Sequence, residues 1–175
     1  MSAAENADVT LVLGGVRSGK SRYAEGLVTA GPAPWIYLAT AEAWDEEMTA
    51  RIRRHREDRG PGWTTVEEPL DLAQALERVA VAGTSVLVDC LTLWLSNLMG
   101  AERDVAAETA RLLDALDRVE GTVVFVSNEV GLGIVPDNAL ARRFRDDAGR
   151  LHQAVAARAR RVVFVVAGLP MMVKG

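Results

Sequence analysis

The chain has 175 residues, 49% of them hydrophobic, which is enough for one substantial core and too little for two ordinary domains joined by a linker. Its formal net charge of -4 argues against a general polyanion-binding surface and so against nucleic acid as a partner, since that affinity needs many Lys and Arg over phosphates. Cys90 is the only cysteine, which excludes an intrachain disulfide framework or cysteine metal cluster and fits a reducing cytoplasm.

In chain order, residues 1–8 carry Glu5 and Asp8 and lack the basic stretch and apolar run of a secretion signal, so they are read as an extension. No segment reaches the roughly 20 apolar residues of a bilayer span, and no membrane anchor is expected. Val9 to Leu13 reads as a strand and Lys20 to Thr29 as a helix. Gly31-Pro32-Ala33-Pro34 turns the chain into a strand over Trp35 to Ala39. A helix over Asp45 to Asp58 ends before the turn Gly60-Pro61-Gly62. Leu70 to Val81 is helical, Ser85 to Asp89 a strand, and Leu91 to Met99 and Val105 to Val119 are helices. Thr122 to Ser127 is a strand, Asn138 to Arg160 a long helix, and Val162 to Ala167 a last strand. The strand runs are continuously apolar rather than alternating, as befits strands covered on both faces of a parallel sheet. The expected architecture is a three-layer α/β fold with a mostly parallel central sheet, one domain over residues 9–175.

The first strand runs straight into Gly14-Gly15-Val16-Arg17-Ser18-Gly19-Lys20-Ser21, and a helix follows at once. This strand-loop-helix context is what the P-loop pattern requires. Glycines let the backbone curl around a phosphate with its N–H groups inward, and the helix adds the positive end of its dipole. Lys20 supplies a point charge to the β- and γ-phosphates, and Ser21 gives its hydroxyl to Mg2+, which offsets charge developing on a moving phosphoryl group.

Val86-Leu87-Val88-Asp89 ends an apolar strand in a carboxylate at the edge where P-loop folds hold magnesium, making Asp89 a Walker B candidate. The alternative is a helix-capping Asp before Leu91. Ser127-Asn128-Glu129 closes another strand at the same edge, where ligands of parallel sheets bind. Glu129 is either an orienting group for metal, water or hydroxyl, or a solvated loop carboxylate.

Asp45 to Arg59 opens with acids and ends with bases, an order that complements the helix dipole. Helical period aligns Met48, Ile52 and His55, and also ladders Arg51, His55 and Arg59. Flanking arginines keep an imidazole neutral, the form able to attack phosphorus. Taken alone, the pattern fits a packed, hydrogen-bonded histidine better than a nucleophile. His152, inside the last helix, is read as structural.

Together these strings, with Tyr37-Leu38-Ala39-Thr40-Ala41, Trp63, Glu67-Glu68-Pro69, Asp89-Cys90-Leu91-Thr92, Asn97-Leu98 and Ser127 to Pro136, resemble the bifunctional adenosylcobinamide kinase/adenosylcobinamide-phosphate guanylyltransferases of cobalamin biosynthesis. The likeness runs through nearly the whole chain and implies a RecA-like P-loop NTPase fold. It implies phosphorylation of the aminopropanol hydroxyl of adenosylcobinamide with ATP or GTP, then transfer of GMP from GTP to that phosphate through a guanylylated histidine. By its place after Arg51-Ile52 and before Arg59, His55 is the implied nucleophile, with Lys20 its catalytic partner. Some members have two adjacent histidines here, whereas this chain has Arg54 before His55. Guanine nucleotide contacts are implied at Gly14 to Ser21, at Ala39, Thr40 and Ala41, at Arg56, Glu57, Asp58 and Arg59, and at Glu67 and Asp89. Ser21 and Asp89 are the implied metal ligands, and a homotrimer is the implied assembly. The competing expectations are a simple P-loop kinase of another small hydroxyl compound and a RecA-like motor or nucleotide sensor.

Overall fold

The structure is a computed structural model that describes residues 7–41 and 60–175. Its apolar runs form a seven-stranded sheet. In chain order the elements are β1 (Asp8–Gly14), α1 (Lys20–Thr29), β2 (Trp35–Ala39), β3 (Trp63–Glu67), α2 (Leu72–Val79), β4 (Ser85–Asp89), α3 (Leu91–Gly100), α4 (Val105–Leu116), β5 (Thr122–Asn128), α5 (Ala139–Arg158), β6 (Arg161–Val166) and β7 (Leu169–Lys174). Across the sheet the order is β3-β2-β4-β5-β1-β6-β7. All neighbours are parallel except β6 and β7. The helix expected over Asp45 to Asp58 lies outside the described residues.

Alternation along each central strand sends side chains into two cores, which is why these strands are apolar throughout. Val9 and Leu11 of β1 and Val123 and Phe125 of β5 join the larger core with Leu76 of α2, Trp94 of α3, Leu112 of α4 and Leu151 of α5. Val12, Val124 and Val126 face the other way, onto Ala24 and Val28 of α1. Two helical layers thus sandwich the sheet, as expected. Helix α3 is buried around most of its circumference, through Leu91, Thr92, Trp94, Leu95, Asn97 and Leu98, which explains a mostly apolar sequence. Helix α4 starts where Asp104 accepts from the amides of Ala106 and Ala107 at 2.9 and 3.1 Å, a cap of the kind that contributes about 1 kcal/mol. Asn138 caps α5 in the same way, through the Ala141 amide at 2.7 Å.

Both strands absent from the expectation are edge strands. β3 mixes polar residues, Thr64, Thr65 and Glu67, with Trp63 and Val66 and is only partly covered, so it lacks the apolar run of a central strand. β7 contains Pro170 and is exposed along its whole length, consistent with proline's confinement to sheet edges. It leaves Leu169, Met171, Met172 and Val173 between 55% and 69% exposed. The preceding strand ends at Val166 rather than Ala167, because Ala167 (φ 52°) and Gly168 (φ 79°) are both left-handed, the signature of a tight hairpin turn. Helices expected to reach Val81, Val119 and Arg160 end earlier, at Val79, Leu116 and Arg158; after the last, Ala159 turns extended to enter β6. Among the described residues, no helix is long and apolar enough to cross a membrane.

Candidate active site

Because β1, β2, β4 and β5 run parallel, their last residues, Gly14, Ala39, Asp89 and Asn128, all emerge at one edge of the sheet. The phosphate loop opens there. A side chain on Gly14 has no room, since its Cβ would lie 2.5 Å from Ser18 Oγ and 2.7 Å from the Val165 carbonyl oxygen. Arg17 (φ 55°) and Gly19 (φ 93°) flank Ser18 in left-handed conformations. Their curl brings the Ser18 amide to within 3.3 Å of the Gly15 carbonyl. For Arg17 that conformation costs about 1–2 kcal/mol, strain of the kind that functional loops retain. Lys20 is buried, 9% exposed, and its ammonium donates to the Gly15 carbonyl at 3.2 Å. Its charge is therefore held over the loop rather than extended into solvent. Gly15 and Val16 are exposed at the loop's crown, and Ser21 is partly buried one residue into α1. The N-cap residue of α1, Gly19, has no side chain to cap it; the Ser18 hydroxyl accepts from the Lys20 amide in a long contact of 3.4 Å.

Asp89 ends β4 as expected, and its Oδ2 accepts a short hydrogen bond from the Tyr37 hydroxyl of β2. The capping position of α3 is occupied by Cys90, not Asp89, so this carboxylate is free of the capping role considered from sequence. A hydroxyl at Ser21 and a carboxylate at Asp89, both hard oxygen donors at the phosphate edge, fit a magnesium ion that completes its shell with water and substrate oxygens.

Thr40 is fully buried. Its hydroxyl donates to the Cys90 carbonyl and accepts from the Cys90 amide, both at 2.8 Å, tying the chain beyond β2 to the chain beyond β4. Asn97 of α3 completes this latch: its Nδ2 donates to the carbonyls of Thr40 at 2.7 Å and Pro69 at 3.1 Å. Ala39 is buried beside Thr40 and Ala41 is partly buried. Glu67 ends β3 opposite Ala39. The sequence-predicted residues on β1, β2, β3 and β4 thus share one edge, while His55, Arg56, Glu57, Asp58 and Arg59 lie outside the described residues.

Between β4 and β5, the Thr92 hydroxyl contacts Cys90 Sγ at 2.9 Å and accepts from Asn128 Nδ2 at 3.1 Å. Burial, reinforced by the neighbouring Asp89 charge, pushes the Cys90 thiol up, which keeps it protonated and unreactive. Glu129 accepts from the Gly131 amide two residues on, while its own amide donates to the Gly14 carbonyl at 3.0 Å; its carboxylate therefore shapes its own loop. His152 meets the buried Ser127 hydroxyl at 2.7 Å. Burial pushes its imidazole down, against an opposing pull from Glu129, and the structural role expected for it is what the contacts show. Asn97, Thr92 and Asn128 carry roles that motif reading does not assign. One signal was available: a lone Asn amid Trp94, Leu95 and Leu98 must find buried partners.

The model of the family "Cobinamide kinase / cobinamide phosphate guanyltransferase" matches residues 10–173. The chain is 52% identical over 167 residues to the bifunctional adenosylcobalamin biosynthesis protein CobP of Pseudomonas aeruginosa, covering 94% of this chain and 96% of that protein. It is 40% identical over 179 residues to the bifunctional adenosylcobalamin biosynthesis protein CobU of Escherichia coli and 41% identical over 180 to that of Salmonella typhimurium, with 94% of this chain and 98% of each relative covered. Among solved structures, an ATPase of a bacterial type III secretion system superposes with a TM-score of 0.58 at 12% identity, over 95% of this chain and 57% of that one. A protein from Pyrococcus horikoshii does so with a TM-score of 0.55 at 10% identity, over 97% and 87%. These two likenesses speak to the fold alone. The length and identity of the family match decide the rest: the chain belongs to the cobinamide kinase/cobinamide phosphate guanyltransferase family and is a bifunctional enzyme of cobalamin biosynthesis acting on nucleotide and cobinamide substrates.

Proposed function

We propose that this chain phosphorylates the aminopropanol hydroxyl of adenosylcobinamide with ATP or GTP, and then moves GMP from GTP onto that phosphate by way of His55. The observation that carries this reading is the cradle at the end of β1, with Lys20 held over a loop of left-handed residues, in a chain matched along residues 10–173 by the family model.

In the kinase step the substrate hydroxyl oxygen attacks the γ-phosphorus and loses its proton to solvent, the bond to the β,γ-bridging oxygen breaks, and the nucleoside diphosphate leaves. In the transferase step a neutral imidazole nitrogen of His55 attacks the α-phosphorus of GTP. The N–P bond forms as the bond to the α,β-bridging oxygen breaks and pyrophosphate departs. An oxygen of the cobinamide phosphate then attacks the same phosphorus, the N–P bond breaks, and the imidazole is regenerated. Lys20 and the loop amides serve both steps by holding the phosphates and stabilising charge on the departing oxygen. Ser21 and Asp89 would hold Mg2+, which supplies charge neutralisation to the phosphates. The remaining nucleotide contacts are assigned to Ala39, Thr40 and Ala41, to Arg56, Glu57, Asp58 and Arg59, and to Glu67. The fully buried Thr40 hydroxyl is committed to Cys90, so the contribution of Thr40 is to set the backbone there.

The enzyme works in the cytoplasm as a homotrimer in this reading, with residues 9–175 as one catalytic domain. The exposed apolar side chains of β7 support contact between copies, and light scattering at the mass of three chains is the expected result. His55→Ala is the decisive variant for the chemistry. Pyrophosphate release from GTP should vanish while phosphorylation of cobinamide continues; pyrophosphate release at the wild-type rate would remove His55 from the mechanism. A wild-type protein that phosphorylates but never releases pyrophosphate would be a simple kinase.

A further inference from the structure

The hairpin between β6 and β7 touches the phosphate loop directly. The Gly168 amide donates to the Ser18 carbonyl at 2.7 Å. A Cβ on Gly19 would sit 3.1 Å from Gly168 Cα, so the two glycines are in close main-chain apposition. The Val165 carbonyl limits Gly14 from the same side. Neither the family pattern at the loop nor the expectation of a strand through Ala167 includes this contact.

Its geometry has a directional consequence. The Ser18 carbonyl and the Gly19 N–H belong to one planar trans peptide, in which C=O and N–H point opposite ways. Anchoring the carbonyl on the hairpin therefore turns the Gly19 N–H away from the hairpin. We propose that Gly168 is a positioning residue for the nucleotide: its left-handed conformation delivers an N–H that fixes the Ser18–Gly19 peptide plane, and so aims a phosphate-binding amide before any ligand arrives. The turn between β6 and β7 thus braces the first loop. The proposal rests on the reading of Gly14 to Ser21 as the nucleotide site.

Gly83 provides a matched control. It has φ +80° and open space where a Cβ would go, as does Gly168 at φ +79°, but it lies in the turn before β4, at the opposite edge of the sheet. A side chain at either position meets the same left-handed strain. Binding of magnesium-GTP is measured by calorimetry on the full chain carrying Gly168→Val, Gly83→Val or Gly168→Asn, with Tm recorded for each. Gly168→Val should weaken Kd by roughly tenfold, on the order of the strain that must be relieved by moving the turn. Gly83→Val should lower Tm comparably and leave Kd within about twofold of wild type. Gly168→Asn should restore most of the affinity, because Asn tolerates the left-handed region and keeps its N–H. If Gly168→Val does not fold, Gly168→Ala against Gly83→Ala makes the same comparison. Equal Kd changes in the paired variants, or no change at Gly168, overturn the brace. A wild-type chain that binds no magnesium-GTP would instead refute the nucleotide-site reading, and the brace with it.

Discussion

The two halves of the ligand edge are held by different means. Around β1 the geometry is made by main chain: left-handed residues at Arg17 and Gly19, a Gly14 with no space for a side chain, and a hairpin amide on the Ser18 carbonyl. Around β2 and β4 it is made by buried side chains, with Thr40 bridging to Cys90 and Asn97 joining Thr40 to Pro69. A main-chain cradle suits a ligand rich in phosphate oxygens, because amide donors can approach closely and need no rotamer ordering. A side-chain latch suits the other task, fixing where two chain segments leave the sheet. The difference separates substitutions that harm ligand handling from those that harm folding.

The largest expected effect falls on the β1 side. Lys20→Ala removes a charge held over the loop, and kcat/KM of both reactions should drop about 10²–10³-fold, in line with losing one preorganised donor at a developing charge. Steady-state assays of kinase and transferase activity with the same enzyme check whether both fall. A variant losing only one activity would mean that the two steps do not share this cradle. Next comes Gly14→Ala, whose new methyl group overlaps Ser18 Oγ and the Val165 carbonyl. Urea unfolding should show a loss of about 1–3 kcal/mol, and magnesium-GTP affinity should fall with it. Asn97→Ala should cost a similar ~1–3 kcal/mol by removing the donor to the buried Thr40 carbonyl and the partly buried Pro69 carbonyl, but with nucleotide affinity largely kept. Loss of affinity at Asn97 as severe as at Gly14 would erase the distinction between the two halves.

The smallest effect is a pH dependence at His152. Burial depresses its folded-state pKa, so the unfolded chain binds more protons than the folded one. Stability from this group is full above the ordinary imidazole pKa of about 6.5 and is lost as pH falls below it, by at most ~1.4 kcal/mol per pH unit. The His152→Gln variant should show a flatter stability profile between neutrality and mild acid. An identical slope in both proteins would mean that another group carries the titration.

What was legible in the sequence follows the same division. Central strands announce themselves because burial on both faces demands unbroken apolar runs, and the phosphate loop does so because only glycine fits its tightest positions. β3 and β7 sit at sheet edges, where polar residues and Pro170 are tolerated, and so carry no comparable signal. The Asp89 alternative was settled only when Cys90 proved to be the capping residue of α3. Asn97 and Thr92 act through partners far away in sequence, Thr40 and Asn128; local pattern specifies neither partner. The contact of Gly168 with Ser18 joins the two ends of the chain, a pairing that only the folded sheet creates.

The most direct test of the chemistry is mass spectrometry of the protein after incubation with magnesium and GTP, without corrinoid. The proposed mechanism predicts one GMP adduct, labile to acid and stable to alkali, on the peptide containing His55, and none in His55→Ala. An adduct on any other residue, or one that persists in His55→Ala, would contradict it.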